Sequence, residues 1–100
     1  MFARFTIIHT DTDKIDEAAK LFEESVVPAF QSQKGYQAIY FLSDRKTGKN
    51  ICVSIWETEE DAVNNEESRL YQEQLVKFMD LFTEPPIREG YEVIVRAQLE

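Results

Sequence analysis

The chain reads as an α+β domain of order β-α-β-β-α-β, an antiparallel sheet of four strands with two helices on one face. Three observations predict it. Runs rich in β-branched and aromatic residues open the chain at Phe2, flank a polar turn at Asp44–Lys49, and return near its end. Two longer stretches between them repeat apolar residues at helical spacing. The chain has 100 residues, 43% of them apolar and seven of them Phe. Residues 1–100 are therefore expected to form a single domain with one modest core, burying roughly two-thirds of the unfolded surface.

The first strand spans Phe2 to Thr10, with Phe5, Ile7 and His9 on one face and Arg4, Thr6 and Ile8 on the other. Asp11-Thr12-Asp13 breaks it and supplies a helix cap at Asp13, with Asp16 and Glu17 suited to the first turn. Ile15, Ala18, Phe22, Val26 and Ala29 then form a helical stripe. Pro28 lacks a donor and crowds the carbonyl of Glu24, which predicts a kink or a second short turn. Gly35 ends the element. Tyr36–Ser43 is the second strand and Asn50–Glu57 the third, joined by a turn in which Gly48 can take a left-handed conformation. Pairing Asp44 with Lys49 sets Tyr40 opposite Val53 and Phe41 opposite Cys52. One face then carries Ala38, Tyr40, Leu42, Ile51, Val53 and Ile55. The other carries Ile39, Phe41, Cys52, Ser54 and Trp56.

Thr58 and Asp61 resemble a capping box. The second helix should run to about Asn65, bend near Glu66-Glu67-Ser68, and resume with Leu70, Tyr71, Leu75, Phe78, Met79 and Phe82 as its apolar stripe. Pro85-Pro86 stops it, and Tyr91–Ala97 is expected as the last strand. This order is the ferredoxin-like arrangement. Two helices cover one face of the sheet, yet both faces are apolar. A homodimer packed sheet against sheet is the simplest way to cover the second.

The net charge of −8 argues against nucleic acid and against an anionic membrane surface. No apolar run approaches the roughly 20 residues of a membrane span, and no signal-peptide pattern is visible. One Cys forms no internal disulfide, so a cytoplasmic location is expected. One Cys and one His supply no metal-ligand cluster, and the scattered glycines supply no phosphate loop.

Two segments, ESVVPAFQSQKGYQAIYFLSDRKTGKN and VSIWETEEDA, carry a further signal. A helix interrupted by proline is followed by a glycine before a strand, a charged turn, and an Ile-Trp-Glu-Thr-Glu-Glu junction. In this the chain resembles the antibiotic-biosynthesis monooxygenase family. The resemblance covers nearly all of the chain in element order and implies a dimeric α+β barrel, with a pocket between sheet and helices in each subunit. Some members oxygenate activated aromatics without metal or flavin, others degrade haem, and many have no known activity. The haem degraders use an Asn on strand 1 and a Trp and a His on helix 2. Here Asn65 falls near that Trp and Leu75 near that His, and strand 1 carries Thr6, Ile8 and His9 with no Asn. Haem degradation is rejected. The resemblance implies a cofactor-independent monooxygenase acting on a phenol- or quinol-like substrate. The alternative is a non-catalytic dimeric ligand-binding or accessory protein on the same fold.

Four residues are expected at a substrate site: Trp56, Ser54, Cys52 and Phe78. Trp56 is either a flat wall for an aromatic ligand or a core anchor where strand meets helix. Cys52 lacks a basic neighbour along its strand and reads as a small buried hydrophobe; with Ser54 it leaves room beside Trp56. Phe78 also fits the core stripe of the second helix. His9 is the weak catalytic candidate, able to act as a base near neutrality but without an orienting partner in the sequence. The acidic run from Glu57 to Glu67 is read as a solvated helix start, not a metal site. No cofactor is expected.

Overall fold

The computed structural model describes residues 1–99. Its strands are β1 (Phe2–His9), β2 (Tyr36–Asp44), β3 (Lys49–Trp56) and β4 (Ile87–Glu92), and its main helices are α1 (Ile15–Leu21), α2 (Val27–Gln31), α3 (Glu59–Glu67) and α4 (Arg69–Phe78). The four strands lie in the order β2-β3-β1-β4, each pair antiparallel. This is the ferredoxin-like α+β arrangement expected from the sequence.

The β2–β3 register is the expected one, with Asp44 opposite Lys49, Tyr40 opposite Val53 and Phe41 opposite Cys52. Its turn is closed by Gly48 N–H to Asp44 O at 2.9 Å, with Gly48 at φ +80°. A side chain at Gly48 would collide with the Thr10 carbonyl, so the position suits glycine twice over. Asn50 ties this turn to the end of β1. Its amide donates to Thr10 Oγ1 and Gly48 O, both at 3.1 Å, and its Oδ1 accepts from Ser43 Oγ at 2.7 Å. A fully buried amide with three bonds is a clamp, not a defect.

Pro28 is absorbed as the sequence suggested. Between α1 and α2 the chain widens into a π turn over Phe22–Val26, where Val27 N–H reaches back to Phe22 O. The wider turn removes the demand that Pro28 donate to Glu24. Ile15, Ala18, Phe22 and Val26 of the expected stripe stay buried across the irregularity, and at its end Phe30 is buried while Ala29 is only half-buried. The second helix breaks at Ser68, whose ψ of 148° is extended. Ser68 Oγ then caps α4 by accepting from Tyr71 N–H at 3.1 Å.

The last strand differs from expectation. It occupies Ile87–Glu92, not Tyr91–Ala97. The reason lies in its partner. Ile7 pairs with Ile87 and Phe2 with Glu92, so β1 is used up as β4 reaches residue 92. Val93 N–H still bonds Met1 O at 3.0 Å, and beyond it the alternating apolar residues have no strand to pair with.

Candidate functional site

Parity decides what the sheet offers to the helices. Arg4, Thr6 and Ile8 of β1, Phe41 of β2, and Cys52 and Ser54 of β3 face them, together with Phe22, Val26 and Phe30 of the first helical segment. The Ser68 break swings α4 so that Tyr71, Gln74 and Phe78, spaced three and four apart, form one helical face toward the sheet. Asn65, in the last turn of α3, joins them. Between these layers lies a cleft with about 60 Å³ of free internal volume. The space between its walls, counted out through the mouth into solvent, is about 580 Å³. The smaller figure decides what can be fully enclosed, because the larger one includes open solvent.

Aromatic carbon dominates the walls. Phe22 and Phe41 meet at 5.0 Å between ring centroids, and Phe78 stacks on Phe82 at 6.4 Å. Polar groups enter from both layers. At one side Arg4 Nε lies 2.9 Å from Glu66 Oε1. The two meet as charges and not as an aligned hydrogen bond, since neither atom has a hydrogen-bond partner. The Arg4 guanidinium also lies over the Phe2 ring at 5.4 Å. Burial raises the Tyr71 phenol, while the Arg88 guanidinium, 5.2 Å from its ring centre, and the Thr6 hydroxyl act in the opposite direction.

Three of the expected substrate-site residues line the cleft: Cys52, Ser54 and Phe78. Trp56 stands behind the wall. It is 1% exposed and packs against Phe30 at 5.9 Å and edge-on to Tyr36 at 6.3 Å. Its indole N–H donates to Ser54 Oγ at 2.9 Å, so it fixes a hydroxyl that borders the cleft. The anchor role at the strand–helix junction accounts for this placement, since β3 turns into the α3 cap just after Trp56. His9 is elsewhere. Its odd parity puts it on the opposite face of β1, where Nδ1 sits 2.8 Å from Glu84 Oε1. The Cys52 thiol is pushed up to about 12 by burial, which leaves it protonated at neutral pH.

The residues that sequence reading passed over are Asn65 and Gln74. Asn65 is 4% exposed and Gln74 is 7% exposed, and both line the cleft. A signal was present for Gln74. It lies three residues after Tyr71 and four before Phe78, so it is a polar residue inside an apolar stripe. Among the described residues no group of His, Cys, Asp and Glu is arranged to hold a metal ion, and no helix is long and apolar enough to cross a membrane.

No family model matches the chain. Over 60 residues it is 35% identical to the uncharacterized proteins MT2634 and Rv2557 of Mycobacterium tuberculosis. The match covers 60% of this chain and only 27% of those relatives. Structural likeness extends much further. A protein from Deinococcus radiodurans provisionally named an antibiotic biosynthesis monooxygenase superposes with a TM-score of 0.80, 10% identity, and coverage of 100% of this chain and 99% of that one. NE2512 from Nitrosomonas europaea, a protein of unknown function, gives 0.79 at 13% identity over 99% and 94%. Rv0793 from Mycobacterium tuberculosis gives 0.76 at 12% identity over 97% and 98%. At these identities the likeness is one of fold.

Proposed function

We propose that this chain, which has the fold of the antibiotic biosynthesis monooxygenases, binds a small phenol- or quinol-like aromatic in the cleft and oxygenates it without a cofactor. One observation carries the reading: a cleft walled by Phe side chains and pierced by a few polar groups from sheet and helix. Such a lining suits a flat ring with one or two oxygens. An apolar cavity of about 150 Å³ holds benzene, and the free volume here is about 60 Å³. The ring therefore lies across the mouth, with an oxygen directed inward.

The chemistry asks little of the protein. In its keto form such a substrate carries an acidic CH₂ group, and loss of one proton to solvent water at the open mouth leaves a delocalised anion. The anion passes one electron to O₂, and the two radicals join through a new C–O bond. Proton uptake gives a hydroperoxide, and loss of water leaves a carbonyl. One oxygen atom enters the product and the other leaves as water, so the substrate supplies all four electrons. The protein contributes orientation, a dry surface and support for the anion.

A second reading, binding without catalysis, is favoured by a specific observation. Cys52 and Tyr71 stay protonated at neutral pH, and His9 lies on the other face of the sheet. Incubation with a panel of phenols, quinols and anthrone-like ketones under ¹⁸O₂ tests both. One labelled oxygen per turnover supports the oxygenase. Saturable quenching of the single Trp56 without label in any product supports the binding protein. Absence of both removes the cleft as a ligand site.

A further inference from the structure

We propose that Gln74 is held in one orientation by a surface relay and presents its amide N–H groups to the cleft, so that the ligand must offer a hydrogen-bond acceptor oxygen there. The inference rests on the reading of the cleft as a binding site and deepens it. Lys77 Nζ is 2.6 Å from Ser25 Oγ, and Ser25 Oγ is 2.7 Å from Gln74 Oε1. An ammonium group only donates, so Ser25 accepts from Lys77. The single Ser25 proton then goes to Gln74, which makes the atom facing it the carbonyl oxygen. Reversing the amide would strand that proton, because Ser25 makes no other side-chain hydrogen bond among the described residues.

This fixes what is left over. Gln74 Nε2 carries two protons and has no protein acceptor among the described residues, and it is not among the fully enclosed unpartnered atoms. The residue is 7% exposed and lines the cleft, and with its carbonyl turned to Ser25 we assign its amide N–H groups to the cleft side. Asn65, 4% exposed on the same lining, likewise makes no side-chain hydrogen bond among the described residues. Water can satisfy these donors in the open cleft, and a ligand that displaces it must supply an acceptor in its place or leave the donor buried and unpaired, which is costly. A carbonyl, enolate or phenolate oxygen fits, whereas a hydrocarbon or a ligand that only donates does not. The enolate fits best, because its charge strengthens the bond. Gln74 is then the group that meets the ligand, and Ser25 and Lys77 are positioning residues.

Two probes of similar size separate the possibilities: acetophenone, which has one acceptor, and ethylbenzene, which has none. Binding is followed by Trp56 fluorescence and by calorimetry. The wild type should favour acetophenone by about tenfold beyond any difference in hydrophobicity. Gln74→Leu should abolish the preference while still binding ethylbenzene. Ser25→Ala should reduce it about threefold, and Ser25→Thr, which keeps the hydroxyl, should restore it. Equal affinity of the wild type for both probes overturns the proposal and leaves the cleft as a binding site. A preference that survives Gln74→Leu overturns it too, as does a Ser25→Ala variant that discriminates like the wild type. If neither probe binds, the binding reading falls and this inference with it.

Discussion

Asn50 shows how much one polar side chain can hold. Its amide joins the start of β3 to the end of β1, to the turn and to Ser43 of β2, and Asn50 itself is closed to water. Asn50→Ala strands the partners that remain enclosed, so it should cost about 2–3 kcal/mol in urea unfolding. Ser43→Ala, which removes one bond at an exposed position, should cost at most about 1 kcal/mol. An Asn50 variant as stable as the wild type would show the network to be dispensable. Cys52 makes a different point. Part of its surface borders the cleft, yet the thiol is so poorly solvated that its pKa rises from 9.0 to about 12. The unfolded chain therefore loses this proton first. Its contribution to stability is complete below about pH 9 and is lost as the pH climbs toward about 12. Cys52→Ala should flatten that part of the stability–pH curve, and alkylation of native Cys52 at pH 8 should be much slower than that of the unfolded chain. Rapid alkylation of the native protein would place the thiol in water.

At the scale of elements, the two breaks in the helices shape the cleft. Ser68 ends α3 and caps α4, and Tyr71, Gln74 and Phe78 face the sheet only because α4 restarts there. Ser68→Ala should lower stability by about 1 kcal/mol and loosen the cleft. The check is thermal unfolding together with hydrogen exchange at Tyr71 N–H, and unchanged protection would mean that packing alone sets the restart. Much of this was legible beforehand. The alternation put Phe41, Cys52, Ser54 and Trp56 on one face and the turn residues gave the register, but which face meets the helices was not legible, because both are apolar. Pro28 and Ser68 marked irregularities because a missing donor and a good cap leave traces in sequence. The position of β4 was hidden because strand length depends on its partner. Val93 and Val95 have strand-like character, but β1 has no residue left for them. Gln74 left a trace as a polar residue inside the stripe, but its role was hidden for a related reason. A helical stripe is recognised by its apolar members, and the relay that orients Gln74 joins residues 49 positions apart.

At the scale of the whole molecule, the charge and the uncovered face of the sheet pull in opposite directions. Helices cover one side of the sheet only. On the other, Ala38, Ile55, Ala3 and Tyr91 form one row across the strands, Tyr40, Val53, Phe5 and Glu89 the next, and Leu42, Ile51, Ile7 and Ile87 the third. Glu89 is the single charge in the grid, Phe5 meets Tyr91 edge-on at 5.7 Å, and Tyr40 and Tyr91 are more than half exposed. A surface so apolar is unusual on an isolated chain. The proposal of a homodimer packed sheet against sheet, with more than about 1,200 Å² buried in total, follows from it. Each copy carries −8, so two copies repel at long range while their apolar faces attract at contact. Added salt shortens the reach of that repulsion to about 8 Å at 0.15 M. The dimer should therefore tighten between 20 and ~200 mM salt, the reverse of an interface held by ion pairs. Val53→Glu places a charge at the centre of the grid, away from the cleft, and should yield a folded monomer in sedimentation equilibrium. A wild-type protein that stays monomeric at micromolar concentration in ~200 mM salt would end the proposal. So would a Val53→Glu variant that associates as tightly as its parent, because the contact would then have to lie on some other surface.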